Sequence, residues 1–129
     1  PQGRRTWDQL KLTLPLFGDL NIKIAAGRFG RTLGSLLQSG VPLITSLRIV
    51  QNIFNNVLLA DVIDDATEDL AKGGSLSKIL KASLWFPPML VQMIAVGEQS
   101  GTLEKMLKKA AESYEQEVEV KILALTSMI

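Results

Sequence analysis

MIAVGEQSGTLEKML, residues Met93 to Leu107, joins two amphipathic helical patterns through a Gly-Glu-Gln-Ser-Gly break. Gly97 and Gly101 let the backbone turn there. In a membrane helix the same GxxxG spacing would point to dimerisation, but an interior of Glu-Gln-Ser reads as a turn. Between the glycines sits Glu98, close to the end of an apolar helix. The helix dipole disfavours a negative charge at that end, so Glu98 needs a local partner or a task. The local reading has its carboxylate accepting hydrogen bonds from free backbone N–H groups at the start of the next helix, around Thr102 and Leu103. A contact with a partner is the alternative. Catalysis has little behind it, because no second titratable group is close in sequence.

Working outward, helical periodicity runs through almost the whole chain, and no strand pattern of weight occurs. Trp7, Leu10 and Leu14 make a short amphipathic entry that Pro15 and Gly18 should stop. From about Asp19 to Ser39, apolar residues recur at three and four residues: Ile22, Ala25/Ala26, Phe29, Leu33 and Leu36/Leu37. Gly40 should end that helix, and Pro42 suits the first turn of the next, which carries Leu43, Leu47 and Val50. Asn56 is the expected N-cap of a further helix with Leu59, Val62/Ile63, Ala66 and Leu70 inward. Gly73 and Gly74 end it, and Ser75 is expected to cap a short helix with Leu76, Ile79 and Leu80. Phe86-Pro87-Pro88 opens another, holding Met89, Leu90, Met93 and Ile94. The longest helix starts near Thr102, with a stripe of Leu103, Met106/Leu107, Ala110, Tyr114, Val118, Ile122 and Leu125. Short connections imply antiparallel packing of consecutive helices. The expected organisation is a lead-in over 1–17 and an all-α helical bundle over 18–129.

Composition excludes several chemistries. The 129 residues contain neither cysteine nor histidine. That removes disulfides, thiolate nucleophiles, the usual zinc ligands and every Ser-His or Cys-His arrangement. Neither GxxxxGK[ST] nor GxGxxG occurs, and no cofactor is implied. Residues 1–56 carry a net charge of +5 and residues 57–129 one of −4. Such a dipole either orients the domain against a charged partner or is a chance distribution. Arg28, Arg31 and Lys23 form too small a basic group for nucleic-acid binding. Arg4, Arg5 and Lys11 beside Trp7 have the composition of a juxtamembrane segment. The greasy run Leu84–Val96 is too short and too interrupted to span a bilayer. The ending ILALTSMI stops in mid-pattern, as a piece of a longer protein would.

Three surface features are candidates for contact. Asp61, Asp64, Asp65 and Glu68 share one helical face, and Glu112, Glu115 and Glu119 share another. Each stripe is a solvated face, a surface for a basic partner, or a weak metal site, the last lacking the loop geometry calcium favours. Glu104–Lys108 and Glu117–Lys121 are well-oriented i,i+4 pairs and favour solvation. Gly27, Gly30 and Gly34 lie along one side of the first long helix. They are either a surface for close approach by another helix, such as a weak homodimer, or tolerated glycines.

RFGRTLGSLLQSGVPLITSL (Arg28–Leu47), KGGSLSKIL (Lys72–Leu80) and FPPMLVQMIAVGEQSGTLEKMLKKAAESYEQEVE (Phe86–Glu119) resemble the inner-membrane platform proteins of type II secretion and type IV pilus machines, the secretion protein F / PilC family. The lead-in LTLPLFGDLNIKIAAGRF looks like the second, C-terminal cytoplasmic copy in that family. The resemblance implies an antiparallel six-helix bundle with no catalytic role, on the cytoplasmic side of a bacterial inner membrane. Its partners would be the cytoplasmic assembly ATPase and other inner-membrane components, with flanking membrane helices as anchors. A metal- or ligand-regulated helical sensor is the alternative function.

Overall fold

The computed structural model describes residues 2–13 and 17–128, and every regular element among them is helical. These elements are α1 (Gln2–Thr13), α2 (Phe17–Gln38), α3 (Leu43–Val50), α4 (Val57–Ala71), α5 (Leu76–Ala82), α6 (Pro88–Ser100) and α7 (Leu103–Ser127). From α2 onward each helix packs on the next, and α7 returns to close against α2. These helices enclose one core, and the all-α bundle is the fold class that the helical periodicity anticipates. The α1 helix, expected as a lead-in, packs on α2 and α4.

The core follows the periodic stripes. Ala26, Phe29 and Leu33 of α2 are buried, as are Leu47 and Val50 of α3, Leu59, Ile63 and Ala66 of α4, and Leu76 and Leu80 of α5. Leu90 and Ile94 of α6 join Leu107, Ala110 and Tyr114 of α7. Phe29, Phe54 and Phe86 form a three-way aromatic cluster with centroids 5.2 to 5.8 Å apart. It ties α2 to the loops before α4 and before α6. The edge-to-face contacts of Phe86 with Phe29 and Phe54 suit the ring quadrupoles.

Several boundaries differ from expectation for physical reasons. Gly18 lies inside α2, which begins at Phe17; Leu14 and Pro15 fall outside the described residues. Pro42 precedes the first residue of α3, occupying the N-cap position with φ −58°. Trp7 is 58% exposed, so α1 does not turn it inward. Among the described side chains of α1, Asp8 is the one that is fully buried. The expected stripe of α7 holds to Tyr114, then opens: Val118 and Leu125 are half-buried and Ile122 is exposed.

Glycines mark the turns as anticipated. Gly40, Gly73 and Gly101 all have positive φ, at 91°, 90° and 73°. Gly101 is the left-handed C-cap of α6, and the Thr102 N–H closes the turn onto the Gly97 carbonyl at 3.0 Å. A side chain is strained in that backbone conformation.

Candidate functional site

Three helix N-termini are capped by side chains reaching in from a different helix. At α4, Asn56 caps locally, accepting from the Leu58 and Leu59 N–H groups at 2.9 and 3.3 Å. Asp8 of α1 adds a second cap, its Oδ2 accepting from the Val57 N–H at 2.6 Å. The Asn56 side chain in turn donates to the Asp8 carbonyl at 3.1 Å. At α6, the buried Tyr114 hydroxyl of α7 accepts from the Leu90 N–H at 3.1 Å. Burial pushes the Tyr114 phenol pKa up, partly opposed by that hydrogen bond.

Glu98 supplies the third cap, and here the sequence expectation is corrected. Its carboxylate does not reach Thr102 or Leu103. It accepts instead from the Leu76 N–H at 2.7 Å, the Ser77 N–H at 3.3 Å and the hydroxyls of Ser75 and Ser77 at 2.9 and 2.6 Å. Ser75 holds the N-cap position of α5 without capping it through its own side chain. The charge is misplaced with respect to α6 but well placed for the positive end of α5. Glu98 is therefore a clamp between α5 and α6.

The glycine side of α2 is also corrected. Gly27, Gly30 and Gly34 do not face outward: α7 lies against them. A Cβ on Gly30 would sit 2.8 Å from the Leu107 carbonyl oxygen, and one on Gly34 would sit 3.1 Å from the Lys108 side chain. The proposed homodimer contact through this side is thus occupied by the chain itself. Gly97 plays the same part at the α6–α7 junction, where an added Cβ would come within 2.7 Å of the Leu103 Cα.

One polar and three charged pairs flank the α2–α7 seam in antiparallel register. Gln38 meets Lys108, Arg31 meets Glu115 at 2.5 Å, Lys23 meets Glu117 at 2.5 Å, and Asp19 meets Lys121. The hydrogen bond from Lys121, helped by Lys23, holds the Asp19 carboxyl below the usual range, against the desolvation that opposes it. Glu117, followed by Asp19, raises the Lys23 ammonium. The Asp19 contribution is present above 3.8 and lost as pH falls through its lower folded value. The Lys23 contribution is full below 10.5 and lost as pH rises through its higher folded value. Both ends are solvent-screened, so each pair contributes no more than about 1 kcal/mol. Amide protection at the end of α7, taken relative to the intrinsic exchange rate at each pH, should weaken in acid, and Asp19→Asn should remove that acid dependence. An Asp19→Asn chain with an unchanged pH profile would contradict this assignment.

The acidic stripes are divided by the fold. Asp61 pairs with Arg5 at 2.5 Å, Asp64 with Arg48, and Glu115 with Arg31. Asp65, Glu68, Glu112 and Glu119 remain exposed. Among the described residues no three metal-ligating side chains gather at one point. The sequence reading missed Asp8, whose role spans 49 residues and carries no local signal. It also missed Tyr114 as a cap, since a tyrosine in an apolar stripe reads as core.

Residues 29–129 match the family described as type II secretion system (T2SS), protein F. The chain is 42% identical over 130 residues to the type IV pilus assembly protein PilC of Thermus thermophilus, covering 100% of this chain and 32% of that protein. It is 40% identical over 129 residues to PilC of Myxococcus xanthus, covering 100% of this chain and 31% of the relative. It is 40% identical over 119 residues to the type II secretion system protein F of Aeromonas hydrophila, covering 92% of this chain and 31% of the relative. The chain thus spans about a third of the length of these relatives. No described helix is long and apolar enough to cross a membrane.

Proposed function

Since this chain belongs to the type II secretion system protein F family, we propose that it is a cytoplasmic scaffold domain of the inner-membrane platform that supports pilus assembly or protein secretion. The family's members are non-catalytic platform proteins. What supports the reading most is the match over nearly the whole chain to relatives named for both systems. The scaffold works by docking, and its partners are the cytoplasmic assembly ATPase and other inner-membrane components. A rigid bundle with interlocked helix ends suits that role, because it presents fixed faces rather than a moving catalytic cleft.

The faces open to a partner are those not consumed by internal pairing. Asp65 and Glu68 on α4 and Glu112 on α7 are exposed, whereas Asp64 and Glu115 hold helices together. The full-length protein should capture the ATPase or an inner-membrane component from its own membrane. Asp65→Lys with Glu68→Lys should weaken that capture without lowering the melting temperature. If the unaltered protein captures none of these components, the docking role is wrong.

A further inference from the structure

Segments at one end of the bundle carry most of the exposed large apolar side chains. Nine large ones stand exposed among the described residues, and six of them, Trp7, Leu84, Val120, Ile122, Leu123 and Met128, belong to segments around the first half of α2. The neighbours place them there. The Leu84 loop shares a groove with Asp19, Lys23 and Glu117. The end of α7 lines a pocket with Leu20. The α1 helix, which carries Trp7, reaches the start of α4 through Asp8, and that start shares a cleft with Gly18 and Arg28. The far end, where Gln38 meets Lys108, exposes Ile44 and Val96. Single exposed apolar residues need no explanation, but a clustered set marks an interaction surface.

The charges at this pole select the partner. Arg28 is exposed on α2 and Lys81 is exposed just before the Leu84 loop, while Arg4 and Arg5, half-exposed beside Trp7, are paired with Asp8 and Asp61. The carboxylates there are largely neutralised: Asp19 by Lys121, Glu117 by Lys23 and Asp61 by Arg5. Glu119 is the opposing exposed charge. Leu84 is 92% exposed on a loop, next to the half-buried Trp85. Tryptophan and leucine at the rim with basic residues nearby match the boundary between headgroups and acyl chains.

We propose that this pole rests on an anionic lipid surface, with Leu84 inserted and Arg28 and Lys81 against headgroup phosphates. The proposal relies on the platform reading to bring the domain to a membrane, and it names the surface that touches the lipid.

The test is flotation of the chain with phosphatidylcholine vesicles, with and without phosphatidylglycerol. Binding should require the anionic lipid. Leu84→Glu should lower partitioning about ten-fold or more, the worth of one buried leucine. Arg28→Glu should lower it about five-fold or more, and Glu119→Gln should raise it. Val96→Glu, at the far end, should leave it unchanged. These positions are exposed, so thermal melts should confirm that the variants stay folded. Absence of binding to anionic vesicles would overturn the proposal, as would an equal loss from Val96→Glu. Partner capture by the full-length protein is a separate readout: its failure with vesicle binding intact would count against the platform reading alone.

Discussion

Gly30→Ala should destabilise the domain by roughly 1–3 kcal/mol, whereas Gly27→Ala, one turn earlier on the same helix, should stabilise it. An alanine inside a helix is favoured over glycine by about 1 kcal/mol, so the sign depends on the space available. At Gly27 the nearest atom to an added Cβ is a flexible Glu115 carbon at 3.5 Å, an ordinary contact. At Gly30 it is the Leu107 backbone oxygen at 2.8 Å, which cannot yield unless α7 moves. Overpacking of this kind outweighs the propensity gain. Gly34, at 3.1 Å from a lysine side chain and 3.3 Å from the Glu104 carbonyl, should fall between them. Gly3, with nothing within 4 Å, should behave as a free helical site. In thermal melts the Gly30 loss amounts to several degrees, at about 4 °C per kcal/mol. Equal stabilities for Gly27→Ala and Gly30→Ala would show that α7 is not seated on this side of α2.

The contrast explains what could be read in the chain beforehand. Periodicity revealed the helices and the inward residues because burial is the dominant requirement on an amphipathic stripe. Asn56, Gly73 and Gly101 were visible because caps and turns depend on the residue type at one position. The glycine side of α2 could not be assigned from the same rules. A helix with two buried faces, one of large side chains and one of none, looks in sequence like a helix with one buried face and a weak exposed one. Only the return of α7, which seats Leu107 against Gly30, distinguishes the two. Asp8 and Tyr114 were hidden for the same reason, since each serves a helix end far away along the chain. Acidic residues on α4 and α7 looked like continuous stripes, yet Arg5, Arg48 and Arg31 each take one. The resemblance to platform proteins pointed to the family, but it carried no information on which acids remain free.

Glu98→Ala should cost about 2–3 kcal/mol and should loosen α5 before any other helix. The carboxylate is the acceptor for two backbone N–H groups and two hydroxyls. Hydrogen bonds to a charged acceptor contribute roughly 1.5–3 kcal/mol, and loss of an N-cap costs roughly 0.5–2 kcal/mol. The serine hydroxyls can turn to water once released, so the backbone groups of Leu76 and Ser77 set the cost. Removing the charge also relieves its unfavourable position at the end of α6, which offsets a few tenths of a kcal/mol. The net sign stays destabilising because α5 has only seven residues and cannot sustain itself without its cap. Glu98→Gln should fall between, since one amide oxygen still accepts while the amide nitrogen opposes a donor. Amide exchange locates the effect: Leu76 and Ser77 should lose protection first, while the α2–α7 seam keeps its own. If the variant melts normally and α5 stays protected while secretion or pilus assembly fails in the full-length protein, Glu98 is a partner contact and not a clamp.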